Sequence, residues 1–345
     1  MSIEVRHGTR SAGVTAQDVA RLAEVSQSAV SRTFTPGASV SESTRERVLA
    51  AARRLGYRPN AIARSLITRR SHIVALFMTY LDNQFYPLVI EQLSQKLQRH
   101  GYHVLMFIGD ELDDSHSVLT EILQYQVDAI VLASATLSAD LARQCADSGV
   151  PVVEFNRVSQ TSHRSSTSNS VTSDNRRGGQ LVADLLLSRG LQRLAFLAGM
   201  ENSSTSVERE QGFTEALAAA GMKVHRRAVG HYDFEQAKVA TRELFGKGRK
   251  PDAVFVANDH MAIAAMDVLR GELGLRVPDD VSVVGFDDVA QADWGAYRLT
   301  TVRQDVEAMT EATVDLLRQQ IGDSANPRHL VMPCSIVLRE SVRAA

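Results

Sequence analysis

The chain has 345 residues, 44% of them hydrophobic and 23% charged, with a formal net charge of −2. That length predicts two or three domains and a sizeable core, and that composition excludes a disordered or fibrous chain. The average hides a split: the first 70 residues carry twelve Arg and no Lys against five Asp or Glu, a balance of +7, and the remaining 26 basic and 35 acidic residues leave −9. A basic head before an acidic body is what phosphate binding at one end requires, although a charge run also marks a solvated face. Two cysteines, Cys145 and Cys334, are too few for a disulfide framework and point to a reducing, cytoplasmic setting. No run of 18 apolar residues occurs and the N-terminus has no apolar stretch, so neither membrane spanning nor secretion is expected.

Residues 1–13, with Arg6 and Arg10, are read as a disordered extension, a phosphate-contacting arm being the alternative. Thr15 can cap a helix over 16–23 that puts Val19, Ala20, Leu22 and Ala23 on one side. After the turn Glu24-Val25-Ser26, Ser26 can cap a second helix in which Ala29, Val30 and Phe34 point inward. Gln27, Ser28, Ser31 and Arg32 share its opposite face. A short polar face rich in hydrogen-bonding groups has the form of a recognition helix for the major groove, although this helix taken alone reads first as an ordinary amphipathic helix with a wet face, and it is the neighbouring helices that favour the recognition reading. Ser43-Thr44-Arg45-Glu46 fits a capping box for a third helix, with Val48, Leu49, Ala52 and Leu55 as its buried stripe and Gly56 as its stop. Tyr57 to Leu66 follows, Pro-led and helically spaced but with too few apolar residues to be stable alone.

Beyond residue 72 short β-rich runs at 73–78, 102–107, 129–133 and 152–155 alternate with helical patterns at about 86–100, 115–125 and 138–148. The pattern then restarts, with strands at 193–198, 226–230, 253–257 and 282–286 and helices at about 176–189, 206–220, 234–246 and 260–273. Two successive sets predict two doubly wound α/β lobes with parallel sheets. A helix near 305–321 and a final strand near 329–338 would complete one lobe each. The Ser/Thr-rich stretch Ser159 to Ser173 reads as a surface loop, with a pocket role as the alternative.

Ligands of such sheets bind beyond the carboxyl ends of the strands, so the residues just after each strand are the candidates. Phe85 and Tyr86 could stack on a ring, and Asn83 could bind a ligand or cap the next helix. Asn156 and Arg157 project toward the cleft. Asp174 is a cap or a ligand contact. Asn258 and Asp287 are the preferred pocket residues, and Asp259 reads as a cap. Phe234 and Trp294 are ring-stacking walls or core. A set of acceptors and aromatics suits a polyhydroxylated molecule. Enzyme signatures are missing: no glycine-rich phosphate loop, no His/Cys ligand spacing for a metal and no cofactor motif occur, and no catalytic residue is assigned.

DVARLAxVSxxxVSR, VSExTRERVLAAxxxLGYRPNxIARSL and the VPDDVSVVGFDD run from Val277 are similar to the LacI/GalR family of transcriptional regulators, over Val14 to Ser341. The resemblance implies a helix-turn-helix DNA-binding head at 14–59, a hinge helix and linker at 60–71, and a two-lobed periplasmic-binding-protein-like body at 72–345. The lobes would span about 72–172 with 304–328, and 173–303 with 329–345. Expected DNA contacts are Thr15, Ser26, Gln27, Ser28, Ser31 and Arg32 in the head and Asn60, Ala63, Arg64 and Leu66 in the hinge, Leu66 wedging between central base pairs. In the stretch from Thr205, Arg209 stands where family members grip effector oxygens, a surface ion pair with Glu208 or Asp233 being the alternative. Thr205 joins it among the effector candidates. Expected partners are pseudo-palindromic double-stranded operator DNA, a sugar or sugar acid (a nucleoside or purine remaining open) and a second copy of the chain. The last residues carry no leucine heptads, so a dimer rather than a tetramer is expected, repressing in the bacterial cytoplasm on the nucleoid. A sugar-transport protein would share the body but not the basic head. Glu24 departs from the family, which has Gly in that turn, and Thr35-Pro36-Gly37 replaces its usual Asn-Gly loop.

Overall fold

The computed structural model describes residues 14–35, 37–59, 70–79, 81–109, 115–133, 144, 147–158, 168–246, 248–322 and 326–344. The chain divides into two compact units, Met1–Ser71 and His72–Ala345. Asn60, Ala63, Arg64 and Leu66 lie outside the described residues, as do 1–13 and 159–167.

In the first unit α1 (Ala16–Ala23) starts at Thr15, whose hydroxyl accepts from the Asp18 N–H while the Asp18 carboxylate accepts from the Thr15 N–H. Ser26 caps α2 (Gln27–Thr33) through the Ala29 N–H at 3.2 Å. α3 (Glu42–Leu55) is capped by Ser41, two residues before the expected box, because Ser41 holds extended backbone (φ −65°, ψ 147°) and Ser43 is already helical. Val19, Ala20, Ala23, Val30, Val48, Ala51 and Ala52 form the core, which Phe34 and Tyr57 close from the side. Leu22, expected inside, stands on the flank of the stripe and is 38% exposed.

The turn after α1 keeps a left-handed residue although it lacks glycine: Glu24 has φ 52° and ψ 48°, and its N–H returns to Ala20 and Arg21. An L side chain there costs energy that glycine avoids.

Among the described residues the second unit contains two six-stranded sheets. The first has β1 (Ile73–Met78), β2 (His103–Ile108), β3 (Ala129–Ala133), β4 (Val152–Phe155), β5 (Asn169–Ser173) and β11 (His329–Met332), in the order β11-β5-β4-β3-β1-β2, all parallel. The second has β6 (Leu194–Ala198), β7 (Arg226–Val229), β8 (Ala253–Val256), β9 (Ser282–Asp287), β10 (Thr300–Gln304) and β12 (Cys334–Val337), in the order β12-β10-β9-β8-β6-β7. Only β12 runs antiparallel among these pairings. The helices are α4 (Phe85–Arg99), α5 (Ser115–Gln124), α6 (Asn175–Ser188), α7 (Ser204–Ala219), α8 (Phe234–Leu244), α9 (Asp259–Asp267) and α10 (Val306–Gly322).

Three expectations change. β5 is a buried strand where a surface loop was expected: Asn169 and Ser170 are 1% and 3% exposed, and their side chains pair with the Arg328 N–H and His329. β10 has no counterpart in the sequence reading. The single strand over 329–338 is two strands in different sheets, because Pro333 has no N–H and the chain changes lobe there. Since β11 pairs with β5, residues 329–332 belong to the first lobe, beyond the limit drawn at 328. Of the helix expected over 138–148, residues 138–143, 145 and 146 lie outside the described residues.

The chain passes between the sheets at Asp174, Asp305 and Pro333, and the three passages are tied together. The Asp174 N–H donates to the Met332 carbonyl at 2.8 Å, Ser173 Oγ to Gln304 Oε1 at 2.6 Å, and Cys334 Sγ to the Asp174 carbonyl at 3.3 Å. In the second lobe α6 and α7 cross with their backbones in contact, because a Cβ on Gly179 would strike the Arg209 carbonyl and one on Gly212 the Arg176 carbonyl.

Glu24→Gly should raise the stability of the head by up to about 1 kcal/mol, read as a higher urea midpoint. Gly212→Ala should lower that of the body by about 1–3 kcal/mol, since the obstruction is backbone and the helices must part.

Candidate nucleic-acid interface and ligand cleft

In the head Gln27, Ser28, Ser31 and Arg32 are all exposed on one face of α2, while Ala29, Val30 and Thr33 are buried behind it. Arg45 Nη1 donates to the Thr33 carbonyl at 3.3 Å and ties α3 to the end of α2. Thr15 and Ser26 are exposed but their hydroxyls serve as caps, and Ser26 Oγ also pairs with Ser28 Oγ at 2.9 Å. The exposed, uncommitted donors and acceptors of this face are therefore those of Gln27, Ser31 and Arg32 first.

In the body the strand ends converge on one carboxylate. Asp287, at the end of β9, lies 3.6 Å from Arg209 Nη1, accepts from Gln304 Nε2 at 2.7 Å, and accepts from the Asn83 amide of the first lobe. Arg209 is 2% exposed, which removes the surface-ion-pair reading. Its Nε donates to Asn175 Oδ1 at 2.9 Å, its Nη1 to the Ala257 carbonyl at 2.5 Å, and its guanidinium lies 3.6 Å from the Phe286 ring centroid. Asn258 caps α9 through the Met261 N–H at 3.0 Å, which leaves its Nδ2 buried without a partner. Asn156 donates to the Tyr86 hydroxyl at 3.0 Å and leaves its Oδ1 likewise.

Backbone strain marks the same places. Asn156 (φ 68°), Tyr232 (φ 60°), Asp287 (φ 126°) and Asp288 (φ 58°) are non-glycine residues in positive φ at or just beyond strand ends. Each costs on the order of 1–3 kcal/mol, and such residues collect where a ligand is bound.

Other expected residues fall elsewhere. Phe85 is 2% exposed, packed edge-on against Tyr86 at 5.3 Å, and both rings belong to the core because α4 turns that face to the first sheet. Asp174 is spent on capping α6 through the Arg177 N–H at 2.9 Å. Thr205 is buried and bonds the Tyr232 hydroxyl at 2.9 Å, so it orients that ring. Phe234 is half-buried with its ring 5.4 Å from His260. Trp294 is 55% exposed beyond the turn Ala290–Asp293, neither core nor wall.

Sequence reasoning missed Tyr232, His260, Gln84 and Gln304. Tyr232 follows β7, and the strand-end rule applied there would have found it. Gln304 ends a strand that was not foreseen. His260 and Gln84 join the lobes, Nδ1 to Oε1 at 3.3 Å. A cavity of about 460 Å³ on the side of the crossovers reaches Asp287 and Gln304, with Leu88, Gln92, Asp288 and Arg303 in its wall.

The comparisons with known proteins agree with these two parts. Residues 15–60 match the family described as bacterial regulatory proteins, lacI family, and residues 183–342 match the periplasmic binding protein-like domain. The chain is 34% identical over 340 residues to the HTH-type transcriptional regulator CelR of Thermobifida fusca, covering 95% of this chain and 98% of that protein. The chain belongs to the lacI family. The HTH-type transcriptional repressor PurR of Vibrio cholerae serotype O1 (strain M66-2) is 30% identical over 334 residues, covering 95% and 98%. The structure of the lac repressor dimer bound to operator and the anti-inducer ONPF is similar with a TM-score of 0.86 and 28% identity, covering 96% and 100%. This lacI-family protein is thus a DNA-binding transcriptional regulator and not an enzyme, with a helical head and a two-lobed α/β body. Among the described residues no His/Cys/Asp/Glu group could hold a metal ion, and no helix is long and apolar enough to cross a membrane.

Two carboxylates of the regulator's cleft are held away from their usual range. Burial, then repulsion from Asp287, pushes Asp259 up to about 7, while burial pushes Asp287 up to about 6 against the opposing pull of Arg209. Asp259 is fully buried and accepts from Thr301 Oγ1 at 2.6 Å and from the Val289 N–H at 3.0 Å. A carboxyl raised in the folded state takes up its proton before the unfolded chain does. Its contribution to stability is therefore present at low pH and lost as pH rises from about 4 through about 7. His260, lowered by burial, acts in the opposite sense. Asp259→Asn leaves that histidine in place, so between about pH 5.5 and 7.5 the fall in stability with pH should become shallower by up to about 1.4 kcal/mol per unit.

Proposed function

We propose that this chain is a homodimeric repressor whose affinity for a pseudo-palindromic operator is set by a small hydroxylated effector held between the two lobes. Residues 14–59 form the DNA-binding head, 60–71 the hinge and 72–345 the effector-binding and dimerisation body. Gln27, Ser28, Ser31 and Arg32 read base edges, because a short exposed helix with amide, hydroxyl and guanidinium groups matches the major-groove pattern. The basic balance of the first 70 residues supplies phosphate contacts whose contribution falls with salt. The hinge residues Asn60, Ala63, Arg64 and Leu66 rest on the family pattern alone. The lac repressor structure, a dimer on operator, supports the same assembly here. A cytoplasmic protein, nucleoid-associated when bound to DNA, follows from that role.

The observation that carries the effector reading is the pair of buried unpartnered atoms, Asn156 Oδ1 just beyond β4 and Asn258 Nδ2 just beyond β8. A buried acceptor from one lobe and a buried donor from the other are satisfied together by a hydroxylated molecule between them. A sugar or sugar acid fits best, and a nucleoside offers the same groups. The effector shifts the operator affinity by roughly 1–3 kcal/mol.

The test titrates the operator complex with a panel of sugars, sugar acids and nucleosides. Asn258→Ser keeps a capping oxygen for α9 but removes the amide donor, and should weaken the response to the active compound by about 1–3 kcal/mol with stability nearly unchanged. An unchanged response would place the effector elsewhere.

A further inference from the structure

Gln84 stands in the loop before α4 in the first lobe, and its Nε2 donates to the Asp82 carbonyl at 2.6 Å. That bond turns Oε1 toward the second lobe, where it lies 3.3 Å from Nδ1 of His260. An amide oxygen only accepts, so Nδ1 carries the proton across the seam. His260 is the second residue of α9 and is 8% exposed. Among the described residues, the charged groups around it are Asp82 from the first lobe, Asp233 at the head of α8 and Lys238 behind the Phe234 ring. Its neighbour Asp259 turns its carboxylate to Thr301 and the Val289 N–H instead.

Two features of this position oppose a positive ring. It is buried, with Gln84 of the facing lobe as part of its cover, and it sits in the first turn of a helix, where the free N–H groups repel a cation. Burial holds the imidazole below its usual range against the pull of Asp82 and Asp233. Parting the lobes removes Gln84 and admits water. Asp82 leaves with the first lobe, but its pull is smaller than the effect of burial, so the ring returns toward its ordinary value of about 6.5. A ring that holds its proton less well when the seam is shut makes closure easier at neutral pH than in acid.

We propose that the Gln84–His260 contact is a proton-sensitive latch between the lobes, shut while the imidazole is neutral and released when the ring takes up a second proton. A compound held by both lobes therefore binds less tightly as pH falls through the histidine range, and its binding expels a proton. That consequence rests on the effector cleft proposed above; the latch itself does not.

The first test needs no ligand. In a thermal double-mutant cycle on the full-length protein, His260→Leu and Gln84→Met should be non-additive by about 2 °C at about pH 7.5, because each removes the same hydrogen bond. At about pH 5 that coupling should fall by at least about half, since the charged ring has left the seam. Coupling that is absent at the higher pH, or that persists or grows in acid as a charged imidazole still bonded to Gln84 would make it, overturns the latch.

The second test is calorimetric titration with glucose, glucuronate, galacturonate and adenosine, whose own charge does not change between about pH 7.5 and about pH 5.5. For a compound that binds, acid should weaken binding to the wild-type protein by about threefold to tenfold more than to His260→Gln, tenfold being the limit for one histidine a unit below its ordinary value. The pH dependence left in His260→Gln belongs to Asp259 and Asp287. Gln84→Glu sets a carboxylate against the ring and favours its charged form in the shut seam, so acid should weaken binding to it less than to His260→Gln. Equal pH dependence in the wild type and His260→Gln overturns the proposal. The stated behaviour of the cycle, together with no binding of any of the four compounds, keeps the latch and counts against the sugar or nucleoside reading, so the two failures are told apart.

Discussion

The body is organised around one buried ion pair. Arg209 and Asp287 are both nearly excluded from water, a placement that costs several kcal/mol per ion unless the remaining donors and acceptors are satisfied. They are satisfied from three directions: Asn175 and the Ala257 carbonyl on the arginine, Gln304 and Asn83 on the aspartate. Those partners come from the second lobe, from a crossover and from the first lobe. A change at the pair is therefore felt in both lobes and in the strand passages between them.

That arrangement explains features which look separate. Gly179 and Gly212 let α6 and α7 touch, which fixes the depth at which Arg209 enters from α7. β5 and β10 carry buried Ser, Thr and Gln because their side chains link the crossovers and the carboxylates rather than fill a core. Ser173 reaches Gln304, and Thr301 reaches Asp259. Asp259 is fully buried beside the Asp287 charge, and burial followed by that repulsion raises its pKa. A ligand that brings charge into such a network changes its protonation as well as its hydrogen bonds. Regulation by the lobes and the electrostatics of this cluster are consequently one problem.

The head obeys different physics. Its core is seven small or medium side chains, and caps at Thr15, Ser26 and Ser41 define where each helix begins. Glu24 in left-handed backbone shows that this turn's shape is imposed by the packing of α1 on its neighbours and not by the local residue. The exposed face of α2, with Gln27, Ser28, Ser31 and Arg32, is held in register by those caps and that core without any such network.

Local pattern was enough for much of this. Helical period, caps and β-rich runs located α1, α2 and most elements of both sheets, because those signals act over a few residues. The strand-end rule brought out Asn156, Asn258 and Asp287, and the family resemblance brought out Arg209, which the structure pairs with Asp287. The two strands that local pattern missed were missed for one reason. Asn169–Ser173 and Thr300–Gln304 are polar strands made burial-competent by partners between 17 and 159 residues away, as Gln304 with Asp287 and Ser170 with His329 show. Pro333 divided one apparent strand between two sheets. Phe85 and Tyr86 looked like a stacking surface until the orientation of α4 turned them inward. The sequence by itself determined the helical head, the two α/β lobes and the chemistry available at the strand ends. Only the tertiary structure decided which strand ends meet, that Arg209 is buried, and that Gln84 meets His260 across the lobes, because burial and pairing depend on residues far apart in the chain.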